Sequence, residues 1–229
     1  MTGRVIVLNG VSSAGKSSTA KAFQRIVADP FLHVSGDVFL DMIAPQLWGD
    51  ERGIVFRQLE ERGVPSIKIE MGIELERLLE GMRASVAALA NAGNNCLVDD
   101  VMLSASDQQS YCDACQNLPI QFVAIHAPLD ILEKRERKRG DRMIGLARWQ
   151  FPRVYRGIAY DFEIDTTDKG PEDVALAIAS ALNIAIQRNS GTQYELGLIS
   201  YCVPELPQAV KARQWSSYAY CAQWPAGNR

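Results

Sequence analysis

Residues 10–17 read Gly10-Val11-Ser12-Ser13-Ala14-Gly15-Lys16-Ser17 and match the pattern G-x-x-x-x-G-K-[ST]. Glycines in such a loop let the backbone wrap closely around phosphate oxygens, and successive N–H groups point inward. The helix that follows presents its positive N-terminal end to the β-phosphate. We therefore expect Lys16 to bridge the β- and γ-phosphates and the Ser17 hydroxyl to bind Mg²⁺, with the run through Ser18 holding the nucleotide.

The segments on either side of this loop have the patterns that a phosphate-binding loop (P-loop) requires. Arg4–Leu8 is rich in β-branched residues and predicts a buried strand, and Lys16–Ala28 predicts a helix that stops before Pro30. The alternative is a Gly/Ser turn that only caps a helix, and the preceding strand argues against it. The chain has no N/T-K-x-D guanine signature, so we expect ATP as the nucleotide.

Short apolar runs alternate with longer amphipathic segments along the rest of the chain. Further strands are predicted at Phe31–Val34, Cys96–Val98, Ile120–His126 and Asp161–Asp165. Further helices are predicted at Asp37–Ile43, Ser66–Ala90, Asp107–Gln116, from Pro128 into the basic stretch, Ala147–Gly157 and Pro171–Ile186. Trp48–Pro65 is interrupted by glycines and is interpreted as a loop insertion. This order predicts an α/β fold, a three-layer P-loop NTPase of the nucleotide-kinase-like type, with a mostly parallel central sheet and a helical lid.

The composition limits the possible partners. The 229 residues carry a net charge of -3 and lack the excess of Lys and Arg typical of nucleic-acid-binding proteins. No segment reaches the roughly 20 apolar residues of a membrane helix, and no signal-peptide core is recognisable. The CxxC motif of Cys112 and Cys115 is interpreted as two free thiols in a reducing compartment. We expect a cytoplasmic protein without nucleic-acid or membrane partners, and homo-oligomers stay open.

Asp37 lies just after the second predicted strand, at the edge of the sheet where the first strand delivers its loop. Ligands of open α/β sheets bind outside the carboxyl ends of the strands. A carboxylate there can accept the proton of an acceptor hydroxyl as a general base, or orient that hydroxyl. The alternative is that Asp37 caps a helix beginning at Val38.

Two carboxylates, Asp99 and Asp100, end the apolar strand Cys96–Val98. A carboxylate at such a strand end typically faces Mg²⁺ directly or through water. Successive strand residues point to opposite faces. We predict that at least one of the two lies near the metal, and Asp99 is the preferred candidate. The alternative role for both is turn or capping chemistry.

Residues 133–142 are dense in both signs of charge and end in Arg139-Gly140-Asp141-Arg142. Such a run is commonly a solvated helix face with i,i+4 pairs, for example Glu133 with Arg137. Here Gly140 can serve as a hinge, and arginines on a closing lid would neutralise charge on the transferred phosphoryl group. We therefore predict a lid on which Arg139 or Arg142 is a catalytic residue.

These motifs together resemble the chloramphenicol phosphotransferase-like family of small P-loop kinases. The resemblance rests on Leu8-Asn9-Gly10, Ser12–Ser17, Asp37, Val98-Asp99-Asp100-Val101, Arg135-Glu136, Arg139-Gly140-Asp141-Arg142 and Tyr160-Asp161 with Glu163-Ile164-Asp165-Thr166-Thr167. It covers about residues 1–185 and implies a P-loop kinase domain at 1–187, followed by an aromatic-containing tail at 188–229. The family is related to shikimate and nucleoside-monophosphate kinases.

The resemblance also implies an activity: transfer of the γ-phosphoryl group from ATP, with Mg²⁺, to a hydroxyl of a small molecule, which for chloramphenicol inactivates the antibiotic. It makes Asp37 the general base and assigns Arg135, Arg139 and Arg142 to the phosphates. Two alternatives stay open, a kinase for a shikimate-, sugar- or nucleotide-like metabolite and an ATP-binding regulatory module that does not catalyse. An intact Asp37 argues against the regulatory module, because a sensor needs no general base.

Overall fold

The computed structural model describes residues 1–61, 63–140 and 143–187. Two features predicted from the sequence, Arg142 as a catalytic residue and the aromatic-containing tail at 188–229, lie outside the described residues. Within the described ranges, no helix is both long enough and apolar enough to cross a membrane.

The centre of the fold is a five-stranded parallel sheet with the strand order β2-β5-β1-β6-β7. The strands are β1 (Val5–Asn9), β2 (Phe31–Ser35), β5 (Asn95–Asp100), β6 (Ile120–His126) and β7 (Phe162–Asp165). Every residue of β1 is buried, as expected for a central strand covered on both faces. β1 and β5 end in register, with Asn9 opposite Asp100, so the loop after β1 and the carboxylates of β5 share one edge.

Helices cover both faces of this sheet and confirm the three-layer arrangement. They are α1 (Lys16–Ile26), α2 (Gly36–Leu40), α3 (Ile73–Asn91), α4 (Ala105–Ala114), α5 (Leu129–Arg139), α6 (Leu146–Gln150) and α7 (Pro171–Ala181). Because successive side chains of β1 point to opposite faces of the sheet, they contribute to two hydrophobic cores. Ile6 and Leu8 pack with side chains of α1 and α7 on one face, whereas Val5 and Val7 pack with α3 and α4 on the other.

The interpretation of Trp48–Pro65 as a loop, and of a helix starting at Ser66, is wrong. The chain forms an antiparallel hairpin of β3 (Ile54–Glu61) and β4 (Val64–Met71), which is a separate two-stranded sheet. β4 alternates with period two, since Ile67 is buried whereas Lys68 and Glu70 form an ion pair on the other face. Ile69 also fits the apolar stripe of the following helix. The sequence pattern therefore placed the start of that helix within β4, whereas the helix begins at Ile73.

Most predicted helices differ in their bounds from the observed ones, and three examples follow. The helix at Ala147–Gly157 is only α6, Leu146–Gln150, and turns follow it. The closing helix was predicted to end at Ile186 but ends at Ala181. Ile186 forms an isolated β-bridge with Val27. The helix placed at Asp37–Ile43 begins one residue earlier, at Gly36, and ends at Leu40.

Candidate active site

The P-loop leaves β1 at Asn9 and enters α1 at Lys16. Two of its residues, Ser13 and Gly15, have positive φ angles of 67° and 101°, so the backbone reverses sharply and its amides turn toward one side. A Cβ at Gly10 would lie 2.5 Å from the carbonyl oxygen of Ile125, so only glycine lets the loop pass this close to β6. The loop therefore has the form predicted for a phosphate cradle.

Lys16 is 7% exposed and points back into this loop. Its Nζ donates hydrogen bonds to the carbonyl oxygens of Gly10, at 2.9 Å, and Val11, at 3.3 Å. The same ammonium group lies 4.0 Å from Oδ1 of Asp99. The predicted phosphate-binding cation is thus held at the mouth of the loop.

Asp99 is 5% exposed and contacts the P-loop helix directly. The hydroxyl of Ser17 donates to its Oδ2 at 2.5 Å, and Nε2 of His33 lies 3.6 Å from the same oxygen. Burial raises the pKa of Asp99, but His33, Lys16 and Ser17 together hold that pKa below its usual value. An ionised carboxylate beside a serine hydroxyl supplies the hard oxygen ligands that Mg²⁺ prefers.

Asp100 faces the opposite side of β5, as the alternation predicted. Its Oδ2 accepts a hydrogen bond from the Tyr111 hydroxyl at 2.8 Å, and its Oδ1 accepts one from the Val101 amide at 2.7 Å. Burial raises the pKa of Asp100. Only Asp99 of the pair touches Ser17, so the geometry favours Asp99 as the metal-proximal carboxylate.

Asp37 lies in the first turn of α2 and lines the same cavity as the P-loop. The residue that caps α2 is Ser35, so the alternative in which Asp37 caps a helix starting at Val38 is wrong. β2 and β5 place the start of α2 close to the carboxylates, since a Cβ on Gly36 would lie 3.3 Å from Oδ1 of Asp100. The structure therefore brings Asp37 to the sheet edge where the P-loop opens.

Two arginines of α5, which we call the lid helix, also line this cavity. Arg135 donates to the hydroxyl of Thr166 at 3.0 Å and to its carbonyl oxygen at 2.7 Å. Arg139 is one helical turn further on, on the same face, and lines the cavity as well. α5 is followed by Gly140, whose left-handed φ of 73° ends the helix; its role as a hinge stays a prediction.

Four side chains that sequence reasoning did not assign to the site support the P-loop from behind. Gln150 accepts a hydrogen bond from the Ser12 amide at 2.7 Å, and Thr166 Oγ1 lies 3.0 Å from the Ala14 carbonyl oxygen. The side-chain NH₂ of Asn9 donates to the Val154 carbonyl oxygen and the Tyr160 hydroxyl, and its Oδ1 accepts from the Met102 amide. The Tyr155 hydroxyl accepts a hydrogen bond from the Val11 amide. Asn9 and Thr166 stand in motifs of the family resemblance, but the bonded partners are 93 to 152 residues apart, so no local pattern could reveal these bonds.

The cavity has a volume of about 540 Å³ and two chemically different halves. One half is polar and contains the P-loop, Asp99, Arg135, Arg139 and Lys169. The other is apolar, and its lining is Leu40 of α2, Ile54 of β3, Ile69 and Met71 of β4, and Leu75 and Leu79 of α3. We call this second half the apolar wall. Asp37 lies beside it, three residues before Leu40.

The polar half fits a magnesium nucleotide. α1 has no side-chain hydrogen bond at its N-cap, Gly15, and no acidic residue in its first turn, so its positive end is available to an anion. A Cβ on Gly15 would meet nothing within 4 Å, which leaves space where phosphates would approach. Mg²⁺ needs only one or two protein oxygens, because water and phosphate oxygens complete its octahedron.

Comparison with known proteins gives relatives in sequence and in structure. A Mycobacterium tuberculosis (strain H37Rv) protein named "Putative O-phosphotransferase" is 28% identical over 175 residues, which are 72% of this chain and 76% of that protein. An unliganded sugar kinase from Janibacter aligns with a TM-score of 0.59 and 18% identity, covering 80% of this chain and 96% of its own. The APS kinase of M. tuberculosis, in complex with AMPPNP and APS, aligns with a TM-score of 0.55 and 16% identity, covering 80% and 98%.

These two solved structures confirm the fold as that of P-loop kinases. Residues 3–183 match the family described as chloramphenicol phosphotransferase-like protein, the same family to which the motifs of the sequence point. The match spans the P-loop, β5, the lid helix and β7. The chain belongs to the chloramphenicol phosphotransferase-like family.

Proposed function

We propose that this protein is an ATP-dependent O-phosphotransferase that moves the γ-phosphoryl group, with Mg²⁺, to a hydroxyl of a small molecule in the cytoplasm. One observation carries the proposal. A single cavity holds a P-loop lysine, a carboxylate paired with the P-loop serine, two lid arginines and Asp37, next to an apolar wall. The family membership supports phosphoryl transfer, and the APS kinase relative binds an ATP analogue in the same fold.

Each side chain has a role that follows from its position. Lys16 places a fixed positive charge at the mouth of the cradle, where charge develops during transfer. Ser17 and Asp99 would supply oxygen ligands for Mg²⁺, and the bound ion would neutralise charge on the phosphate groups. Arg135 and Arg139 face the polar half from the lid helix, where guanidinium groups suit phosphate oxygens. Asp37, between the two halves, accepts the proton of the acceptor hydroxyl.

The apolar wall favours an uncharged acceptor with an apolar body. Apart from Asp37, the cavity residues that α2, the hairpin and α3 contribute carry no charge. An anionic acceptor such as shikimate or a nucleotide would lose its hydration there and lie near a carboxylate. A sugar would need several polar partners for its hydroxyls. Alcohols of the chloramphenicol type fit this wall better, and a kinase for a polar metabolite is the second candidate.

The test is an acceptor screen with purified protein, labelled ATP and Mg²⁺. The panel contains chloramphenicol and other neutral apolar alcohols, shikimate, sugars and nucleosides. We expect labelled phosphate on neutral apolar alcohols, with kcat/KM at least about tenfold above that of anionic acceptors. Transfer to anionic acceptors alone would contradict the acceptor class, and no transfer to any alcohol would contradict the proposed reaction.

Replacing Met71 by Ser is expected to raise the acceptor KM about fivefold while the ATP KM stays unchanged. Met71 lines the apolar wall and is still 38% exposed, so an acceptor that covers its remaining surface gains about 1 kcal/mol from it. Steady-state kinetics with the best acceptor of the screen measure the effect. The matched control is Met42→Ser, because Met42 is 58% exposed and lies outside the cavity lining. Equal KM values for both variants would show that Met71 does not contact the acceptor.

A further inference from the structure

A buried carboxylate lies in the lid helix, and the catalytic roles above make no use of it. Glu136 is fully buried, one residue after Arg135 and three before Arg139. Its Oε2 accepts a hydrogen bond from the Gly145 amide at 2.8 Å, and its Oε1 accepts one from the Ala147 amide at 2.9 Å. A buried carboxylate is costly unless its oxygens are bonded, so these two bonds fix the lid helix against the segment that begins α6.

The same segment is bonded to the hairpin. The amide of Ile67, in β4, donates to the carbonyl oxygen of Gly145 at 3.0 Å. The approach is close, since a Cβ on Gly145 would lie 2.7 Å from the carbonyl oxygen of Pro65, and its φ is 101°. Gly145 therefore joins Glu136 on one side to β4 on the other, through its amide and its carbonyl group.

The far end of α6 reaches the P-loop. α6 is only five residues long, and its last residue, Gln150, is 2% exposed and accepts the Ser12 amide at 2.7 Å. A second link, an ion pair between Glu133 and Arg148, also joins the lid helix to α6. One short helix thus contacts the phosphate cradle, the lid helix and the hairpin.

The three bonded elements are those that line the two halves of the cavity. β4 supplies Ile69 and Met71 to the apolar wall, and the lid helix supplies Arg135 and Arg139 to the polar half. Leu146, at the start of α6, packs with Ile67 in a small buried cluster that Phe56 and Ile69 border. Hydrogen bonds and packed side chains therefore form a continuous connection from the lid helix to the apolar wall.

We propose that Glu136 is a positioning residue that couples nucleotide binding to the acceptor-binding hairpin. Its carboxylate keeps the lid helix, Gly145 and β4 in one arrangement, so that the arginines face the phosphates when the apolar wall is in place. The site for the acceptor is thereby completed when the nucleotide binds the arginines of the lid helix. This inference rests on the proposed function, because it takes the polar half as the nucleotide site and the apolar wall as the acceptor site.

Amide hydrogen exchange with and without MgAMPPNP tests the coupling and requires no acceptor. In the parent protein, the nucleotide is expected to slow exchange in the P-loop, the lid helix and β4. In Glu136→Gln, one amide oxygen replaces two carboxylate acceptors and an NH₂ group faces a backbone donor. We expect protection of the P-loop to persist, while the protection that the nucleotide adds to β4 falls at least about fivefold.

A second variant interrupts the same link from the hairpin side. Gly145→Ala would force β4 away from the lid segment and is expected to remove the added protection of β4 in the same way. The matched control is Glu80→Gln, since Glu80 is exposed on α3, and we expect it to behave as the parent. The proposal would be overturned if the nucleotide protected β4 in Glu136→Gln as strongly as in the parent protein, or if it added no protection to β4 in the parent protein.

Turnover measurements separate this inference from the proposed function. For the best acceptor, Glu136→Gln is expected to lower kcat about tenfold and to leave the Kd of MgAMPPNP, measured without acceptor, within about threefold of the parent value. If urea unfolding shows that the lower kcat of Glu136→Gln only reflects a smaller fraction of folded protein, Glu136 has a structural role and the proposal is overturned. If β4 responds to nucleotide through Glu136 but no alcohol is phosphorylated, the coupling is confirmed and the proposed reaction fails.

Discussion

Lys16→Ala is expected to lower kcat/KM for phosphoryl transfer about a thousandfold. The ammonium group is 7% exposed and held by two carbonyl groups of the loop, so it stands at a fixed place before the nucleotide arrives. A preorganised charge of this kind acts where water is excluded, and its removal typically costs two to three orders of magnitude in rate. Initial rates of labelled phosphate transfer to the best acceptor of the screen provide the measurement.

The control for this variant is Lys134→Ala, which removes an exposed ammonium group from the lid helix and should keep the parent rate. Circular dichroism of Lys16→Ala should match the parent, because the loop keeps its bonds to Gln150, Thr166 and Tyr155. Undiminished activity in Lys16→Ala would contradict the assignment of residues 10–17 as the phosphate cradle.

Asp37→Asn is expected to lower kcat between about a hundredfold and a thousandfold while the Kd of MgAMPPNP stays unchanged. The amide keeps the size of the side chain but cannot accept the proton of the acceptor hydroxyl. Asp37 lies on α2 beside the apolar wall, so its loss should not disturb the P-loop. Single-turnover rates with bound ATP measure the chemical step, and nucleotide titration measures binding.

Asp41→Asn is the matched control, because Asp41 is exposed just after α2 ends. We expect it to retain the parent kcat. If Asp37→Asn transfers phosphate at the parent rate, Asp37 is not the base, and the proton must go to another group. A parallel loss of nucleotide affinity would instead mean that Asp37 helps to shape the polar half of the cavity.

The central sheet could be predicted from the sequence because its signals are local. β1 is a continuous buried run. In the octapeptide after it, glycines at fixed positions allow the turn of the backbone, and a lysine at a fixed position supplies the positive charge. β6 was predicted with its observed bounds, Ile120–His126. Placement of Asp37 and Asp99 at one sheet edge followed from the rule that parallel strands share their carboxyl ends.

The hairpin and the support of the P-loop could not be predicted in this way. β4 carries an apolar alternation that merges with the stripe of α3, so a helix explained the same residues equally well. Gln150, Thr166 and Asn9 act through partners distant in the sequence, and polar residue types of this kind occur everywhere on surfaces. Their roles arise only when the sheet brings β1, β5, β6 and β7 together.

The hairpin of β3 and β4 forms its own two-stranded sheet, outside the ladder that aligns the phosphate cradle with the carboxylates. Its side chains can therefore diverge while the register of the catalytic core is preserved. If the apolar wall binds the acceptor as proposed, exchange of Ile54, Ile69 and Met71 would change the acceptor that is bound, provided that Gly145 stays free of a side chain. Redesign of this ribbon would then be a rational route to engineered specificity.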